Sequence, residues 1–534
     1  MQRSKICLCL TGNTIQEDLD IIETYRNYID IVELRVDYLS SDEKLHIRKF
    51  PELAGIPCIL TIRRKADGGL YDAGEAARTT LFARALAYAE QDVRKNFAYI
   101  DMENDFYVSS LQDAALAFGT KIIRSYHDMN GMVYNIEEMM KKMRTTGFEI
   151  PKIACMPQSL SDVTQMLKQS KSITDFDHIL IAMGPLGQPT RILANKMNSC
   201  ITYVSPKKEG SLLSEIGQLD PITLNEVYNF KNIDERTTIY GITGYPLVAT
   251  ASPELHNSGY KAKNMNSVYI PVRAKKIEEA LEFAEEVGIQ GLSVTVPHKE
   301  DVIPHLITVS EEVGDIGASN TIIKHGEEWI GYNTDAEGFQ NSLLEFLGTK
   351  NLKRWKVAII GAGGAARAIA YVVKKLKGKA CIFNRTLSKA KSLAQEYGFD
   401  YAPLSSESLS KLELYSSLII QTTSIGLGVG EKEISTPEND PLSFYNFKGY
   451  EYVYDVIYHP QVTPILNRAQ MSGCKTINGF NMLKYQGYKQ FELFTGVKYV
   501  ANISISIHQR TCDNKKPAVR YNRDKDYLQC QSRL

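Results

Sequence analysis

Eight short runs of apolar, largely β-branched residues recur along the first part of this chain, each followed by a stretch with a different rhythm. They cover residues 6–10, 31–36, 58–62, 98–102, 121–126, 153–156, 179–182 and 201–204. The stretches between them, such as 76–90 and 136–144, carry apolar residues three and four apart, the spacing of one face of a helix. Eight strand–helix units over roughly 220 residues is the arithmetic of a (β/α)8 barrel. A doubly wound sheet has the same periodicity, so the pattern alone leaves both open.

Charged residues inside these runs narrow the choice. Glu33, Arg35 and Asp37 alternate along the second run and so share one face of a strand. In a barrel that face points inward, where an isolated charge is very costly, so these groups need each other or a polar ligand. Arg63 ends the third run and is followed by Asp67, Gly68 and Gly69. His127 ends the fifth, Lys152 begins the sixth, Arg191 lies beyond the seventh, and Ser214 and Gln218 lie beyond the eighth. Any one of them has a bland explanation as a solvated or ion-paired residue. The set in this order does not.

Over residues 1–225 the chain resembles type I 3-dehydroquinate dehydratase, through the succession Glu33, Arg35, Arg63, His127, Lys152, Arg191, Gln218. The resemblance implies a TIM barrel in which Lys152 forms a Schiff base and His127 carries protons. Glu33, Arg35, Arg63, Arg191, Ser214 and Gln218 would hold the hydroxyls and carboxylate of 3-dehydroquinate. Eliminating water from a β-hydroxy ketone needs exactly one hard step, loss of a weakly acidic α-proton, and a cationic imine acidifies that proton. The amine must be neutral to attack, which burial and neighbouring arginines favour. An imidazole titrating near neutrality suits the proton transfers. Two positions depart from the family pattern. Asp67 stands where a Glu usually orients the histidine, and Ser214-Glu215-Ile216-Gly217-Gln218 lacks the usual small residue and Pro.

The second half has its own signature. An apolar strand at 356–360 runs directly into Gly361-Ala362-Gly363-Gly364-Ala365-Ala366 and then a helical stretch. That context makes a dinucleotide fingerprint credible: glycines for the tight turn and close approach, and a helix N-terminus for the pyrophosphate. The next strand ends in Asn384-Arg385-Thr386 rather than in Asp or Glu. An acid there binds a ribose 2′-hydroxyl, whereas Arg and Thr suit a 2′-phosphate, so NADP(H) is the expected cofactor.

From 238 to 500 the chain resembles shikimate dehydrogenase, through Thr250 and Ser252, the run Thr295 to Lys299, Asn320, and Asn333-Thr334-Asp335. The resemblance implies Lys299 and Asp335 as the catalytic pair, with Thr250, Ser252, Thr295, Asn320 and Gln486 on the substrate. Gly361, Gly363, Gly364, Ala365, Asn384, Arg385 and Thr386 would hold the nucleotide, and Thr423, Tyr458 and Gly479 the nicotinamide end. Thr250 adds a methyl group where the family usually has Ser, which makes quinate a competitor for shikimate.

Together these imply an α/β chain: a dehydratase TIM barrel at 1–225, a linker at 226–237, and a two-domain dehydrogenase. Its substrate-binding domain would span 238–339, completed by 481–505, around a Rossmann NADP-binding domain at 340–480. Residues 506–534 are charged and apolar-poor, the composition of a disordered tail. The expected function is conversion of 3-dehydroquinate to 3-dehydroshikimate and then, with NADPH, to shikimate, in aromatic amino acid biosynthesis. The rivals are a fused quinate dehydrogenase and a metabolite sensor that has kept the folds. A sensor would be free to lose Lys152, His127, Lys299 or Asp335, and all four are present.

Charge and cysteines bear on partners. Lys plus Arg and Asp plus Glu both number 62, which gives no bulk attraction to nucleic acid or to anionic membrane. Nine cysteines are scattered without zinc spacing, so no metal is expected and reduced thiols are. No signal-like segment precedes the first run and no apolar stretch is long enough for a bilayer, so a cytoplasmic address is expected. Oligomeric state is left open.

Overall fold

The computed structural model describes residues 3–87, 92–207, 213, 216–247, 250–430 and 433–500. Ser214 and the tail at 506–534 lie outside the described residues.

The first half is a barrel of eight parallel strands: β1 (Lys5–Leu10), β2 (Ile31–Arg35), β3 (Cys58–Thr61), β4 (Tyr99–Glu103), β5 (Lys121–Asp128), β6 (Ile150–Cys155), β7 (Ile179–Ala182) and β8 (Ile201–Val204). Their order is β7-β6-β5-β4-β3-β2-β1-β8. The seam between β7 and β8 is narrow, closed by a bridge between His178 and Ser199 and by Cys200 N–H donating to the His178 carbonyl at 2.8 Å. Three of the expected strands shift at site residues: β6 starts at Ile150, which moves Lys152 from its edge into its interior, β4 runs on to Glu103, and β5 runs on to Asp128, past His127.

Strand alternation explains where the barrel's chemistry sits. Outward residues such as Leu8, Val32, Leu34, Leu60 and Ile153 pack under the helices. Inward residues change character along each strand. At the N-terminal end Ile31, Ile59, Tyr99, Ile123 and Ile150 form an apolar floor. Two and four residues further on come Glu33 and Arg35, Thr61 and Arg63, Asp101 and Glu103, Ser125 and His127, and, on β6, Lys152. Burial of apolar side chains holds the floor, and the polar layers above it open at the C-terminal face, where barrel sites lie.

The connector after the barrel is not free chain. Leu224, Phe230 and Ile233 are buried with the barrel core, and Asn195 donates to the Phe230 and Ile233 carbonyls at 3.3 and 3.0 Å.

Two further six-stranded sheets follow. The first contains β9 (Thr238–Gly244), β10 (Ser267–Arg273), β11 (Ile289–Val294), β12 (Thr308–Val309), β13 (Thr321–His325) and β14 (Glu328–Tyr332), in the order β10-β9-β11-β13-β14-β12 with parallel and antiparallel pairs. The second is all parallel: β15 (Lys356–Ile360), β16 (Lys379–Asn384), β17 (Asp400–Pro403), β18 (Leu418–Gln421), β19 (Tyr452–Asp455) and β20 (Lys475–Ile477). Its order, β17-β16-β15-β18-β19-β20, is the doubly wound arrangement whose strand order reverses beside β15, where dinucleotides bind. The helix Phe480–Thr495 then crosses the helix Thr334–Leu347. Gly338 permits that crossing: a Cβ there would stand 2.8 Å from both Gln486 Cβ and its backbone nitrogen. Among the described residues no helix is long and apolar enough to cross a membrane.

Candidate active sites

The polar layer of the barrel is one connected network around Lys152. Its Nζ lies 3.0 Å from Asp101 Oδ2 and 3.9 Å from Glu33 Oε1, and 4.2 Å from the centre of the Tyr203 ring. Asp101 also pairs with Arg63 at 2.8 Å and accepts from Ser125 Oγ at 2.6 Å. Arg63 reaches Glu103 at 2.8 Å, and Glu103 is shared with the fully buried Arg78 at 2.7 Å. Arg35 and Asp37 form a two-pronged pair at 2.9 and 2.7 Å, the strong planar geometry for guanidinium and carboxylate. The ion-pair partners of the lysine are carboxylates, Arg63 is joined to it through Asp101, and Arg35, Arg63 and Arg191 line the same pocket.

Electrostatics follow from this layout. Burial opposes ionisation of Asp101, but Arg63 and then Lys152 outweigh it and hold the carboxyl well below its ordinary value. His127 is pushed far below the ordinary imidazole value by burial first, then by Arg63 and Lys152. Its Nδ1 has no hydrogen-bond partner among the described residues. Asp67 does not supply one, because its carboxylate accepts from Arg64 Nε at 2.7 Å, and Arg64 goes on to Asp105 at 2.8 Å.

Arg191 differs from Arg35 and Arg63, which are paired with carboxylates. Buried at 3% exposure, it donates only to carbonyls, Tyr203 O at 3.4 Å and Ile216 O at 2.9 Å, and its Nε is unpartnered among the described residues. Burial pulls its guanidinium down to about 10. Glu33, Arg35, Arg63, His127, Lys152, Arg191 and Gln218 line one pocket, closed over by Leu213 and Ile216. Asp101 and Glu103 belong to this network and the sequence reading missed them. The signal was there, as the acids alternate along Tyr99-Ile100-Asp101-Met102-Glu103 just as Glu33 and Arg35 do along β2.

The second site lies between the mixed and the parallel sheets, in a cavity of about 240 Å³. Lys299 follows β11, and Asp335 is the second residue of the helix Thr334–Leu347, capped by Asn333. Lys299 Nζ contacts Asp335 Oδ2 at 2.5 Å, both side chains nearly buried. Asn320 Oδ1 accepts from Thr334 N–H at 2.8 Å, which fixes the start of that helix and hence Asp335. Thr250 Oγ1 donates to Ser252 Oγ at 3.1 Å. Thr250, Ser252, Thr295, Lys299, Asn320, Asp335, Ala365, Tyr458, Gly479 and Gln486 share the cavity wall. Ser293 and Gln490, also on that wall, were missed: they bond each other at 2.9 Å, and Gln490 further holds Thr321.

The Gly-rich turn stands beside this cavity. Gly361 has φ +114, and a Cβ on it would run into Thr422, whereas a Cβ on Gly363 would meet nothing within 4 Å. The turn is thus tight at one glycine and open at the next, with the helix Gly364–Lys375 starting behind it. Lys299 Cδ would be 3.4 Å from a Cβ on Gly364, so the turn and the lysine are adjacent. Asn384 ends β16, its Nδ2 donating to the Thr386 carbonyl at 3.0 Å, and Arg385 and Thr386 are exposed beyond it. These residues fit a phosphorylated dinucleotide. Thr423 lies past β18, its Oγ1 accepting from Ile425 N–H at 3.2 Å, outside the cavity wall. Among the described residues no cluster of His, Cys, Asp and Glu could hold a metal ion.

Three family models match the chain. Type I 3-dehydroquinase covers residues 6–235, the shikimate dehydrogenase substrate binding domain 242–322, and shikimate / quinate 5-dehydrogenase 345–436. A bifunctional 3-dehydroquinate dehydratase/shikimate dehydrogenase of Arabidopsis thaliana, named chloroplastic, is 30% identical over 524 residues, spanning 92% of this chain and 82% of its own. A shikimate dehydrogenase (NADP(+)) of Thermococcus kodakarensis is 35% identical over 267 residues, 50% of this chain and 93% of that one. The solved shikimate 5-dehydrogenase of Thermus thermophilus, in complex with NADP(H) and shikimate, is 28% identical over 49% of this chain and 95% of its own, with a TM-score of 0.42.

Proposed function

The chain belongs to the bifunctional 3-dehydroquinate dehydratase/shikimate dehydrogenase family, and from that membership we propose how its own residues carry the two reactions. Lys152 and His127 serve the dehydratase, Lys299 and Asp335 the dehydrogenase. We assign 1–225 to the dehydratase, 238–339 with 481–505 to the substrate domain and 340–480 to the nucleotide domain.

In the barrel, Lys152 Nζ adds to the ketone of 3-dehydroquinate and expels its oxygen as water, giving a cationic imine. His127, kept neutral by burial and by its cationic neighbours, takes the α-proton, and the electron pair moves into the imine as an enamine. The enamine then expels the β-hydroxyl, which leaves as water with the proton His127 returns. Water hydrolyses the conjugated imine and frees Lys152 and 3-dehydroshikimate. Asp101, 3.0 Å from Nζ, offsets the positive charge that the imine keeps buried. Arg191, which among the described residues hydrogen-bonds only to carbonyls, takes the substrate carboxylate. Glu33, Arg35, Arg63, Ser214 and Gln218 hold the hydroxyls.

In the second site, Lys299 donates a proton to the oxygen of the ketone as it is reduced, and Asp335 orients the ammonium. Bound NADPH supplies the hydride. The amides from Gly361 to Ala365 would hold its pyrophosphate, Asn384, Arg385 and Thr386 its 2′-phosphate, and Thr423, Tyr458 and Gly479 its nicotinamide end. Thr250, Ser252, Thr295, Asn320 and Gln486 bind the substrate. A cytoplasmic address is supported by the seven described cysteines, all free, as in a reducing compartment.

The observation that carries this is the meeting, in one barrel pocket, of an amine, a buried imidazole and a guanidinium that among the described residues bonds only to carbonyls. It is tested by following NADPH oxidation with 3-dehydroquinate as the only substrate. Lys152→Ala and Lys299→Ala should each abolish the signal, and mixing the two variants should restore it. A normal rate in either variant would remove that residue from its role.

A further inference from the structure

We infer that the dehydrogenase half braces the anion-binding loop of the dehydratase, and that Arg273 is the positioning residue through which it does so. The inference rests on the assignment of Arg191 to the substrate carboxylate.

The loop after β7, residues 183–187, has two sides. Facing the pocket, Gly184 N–H and Arg191 Nη2 both donate to the Ile216 carbonyl at 2.9 Å. Gly217 stands at φ +79, and a Cβ there would run into the Gly184 carbonyl. The loop and the last segment of the barrel are therefore pressed together with Arg191 between them. On the outer side stands Arg273, the last residue of β10 in the dehydrogenase half. Its Nη1 donates to the Pro185 carbonyl at 3.2 Å and to Gln188 Oε1 at 2.7 Å. Gln188 is the first residue of the short helix Gln188–Ile192 that carries Arg191.

The surrounding contacts show that this is an interface and not a stray side chain. The helix Leu160–Ser170, which follows the strand of Lys152, lies against the helix Ile277–Val287 of the dehydrogenase half. Ser161 donates to Glu282 at 3.1 Å, and Lys168 and Lys171 pair with Glu282 and Glu286 at 3.2 and 2.7 Å. The second half thus packs on the two consecutive barrel units that hold Lys152 and Arg191. A loop clamped from both faces keeps Arg191 at a fixed height above the pocket. Without Arg273, two bonds on the outer face are lost and Arg191 is held from the pocket side alone. A carboxylate clamp remote from the bonds that change binds ground and transition states alike, so its misplacement appears in KM and not in kcat.

The test uses the full chain with Arg273→Ala, Arg273→Lys, Gln188→Ala and the Arg273→Ala/Gln188→Ala double variant. Dehydratase is read from the enone product and dehydrogenase from NADPH oxidation with 3-dehydroshikimate. Arg273→Ala should raise the KM for 3-dehydroquinate about 3- to 30-fold with kcat unchanged and both dehydrogenase constants unchanged. Gln188→Ala should do the same, the double variant should go no further, and Arg273→Lys should fall between. An unchanged dehydratase KM in Arg273→Ala, or in Gln188→Ala should the first not fold, overturns the brace. Arg191→Ala separates the two layers of the argument. If it leaves KM unchanged, the carboxylate assignment fails, whereas a raised KM there with none in Arg273→Ala fails the brace alone.

Discussion

Lys152 and Asp101 meet at 3.0 Å across the barrel although β5 runs between their strands. The contact is long-range in sequence and wholly buried, with Arg63 on the other oxygen of the same carboxylate at 2.8 Å. One acid therefore serves two cations. It offsets the charge of Lys152, and it holds the arginine that joins the rest of the network.

That sharing makes Asp101 a sensitive position of the barrel. Asp101→Asn keeps the shape and leaves Lys152 and Arg63 short of a counter-charge in a buried site. Removing one partner of such a pair costs about 3–5 kcal/mol, so the urea midpoint of the barrel transition should fall with an unchanged slope. The dehydratase kcat should fall with it, while NADPH-dependent reduction of 3-dehydroshikimate in the folded protein stays at the parental rate.

His127 makes a prediction about pH. Burial, then Arg63 and Lys152, lower its pKa far below the ordinary 6.5 or so, so the neutral, proton-accepting form persists into acid. The dehydratase kcat/KM, which reports the free enzyme, should stay flat from about pH 7.5 to about pH 6. An unperturbed imidazole would have lost about three-quarters of its neutral form by then. A fall of that size, measured on the full chain at constant ionic strength, would mean that neither burial nor the cations hold His127 below the ordinary value.

How much of this was legible beforehand depended on whether the signal was local. Gly361 and Gly363 lie in a run whose spacing carries its own chemistry, whereas Lys299 and Asp335, and Lys152 and His127, were named through the family resemblance. The eight strands were legible too, because each is apolar on both faces near its start. Asp101 and Glu103 were missed although they alternate as Glu33 and Arg35 do, since the apolar run ends at Met102 and leaves Glu103 outside it. The place of Asp67 was out of reach as well. Its carboxylate goes to Arg64 because Asp105, from the end of another strand, already draws Arg64 over. Arg273 gave no signal at all, as its partners are 88 and 85 positions away and in the other half.

Cofactor choice should follow from the end of β16. Asn384 is half-buried and Arg385 exposed, with no acid at the strand end. Hydrogen bonds to a charged group contribute about 1.5–3 kcal/mol. Arg385→Ala should accordingly raise the KM for NADPH about 10- to 100-fold and leave that for NADH nearly unchanged. Asn384→Asp should move preference towards NADH by setting a carboxylate against the 2′-phosphate. Steady-state constants with both cofactors and 3-dehydroshikimate decide it, and equal losses with both would place Arg385 away from the 2′-phosphate.

The last prediction concerns stability and uses an acid outside both pockets. Asp455 ends β19 with no exposure, its Oδ1 accepting from Ile457 N–H at 3.0 Å and its Oδ2 bonded to Thr463 Oγ1 at 2.6 Å. Burial pushes its carboxyl up to about 7, against the pull of those two bonds. In the unfolded chain the same group titrates near 3.9 or so. Between about pH 4 and about pH 7 the folded protein therefore binds more protons than the unfolded one, and stability falls as pH rises through that window. Above it the folded carboxylate is charged and carries its full burial penalty, at most on the order of 4 kcal/mol. Asp455→Asn can keep both contacts, accepting from Ile457 and donating to Thr463, and has nothing to titrate. Its thermal midpoint relative to the parent should rise steadily from about pH 4 to about pH 7 and level off above. A difference that stays constant across that range would mean that Asp455 is ionised in the fold throughout, and that its two hydrogen bonds outweigh its burial.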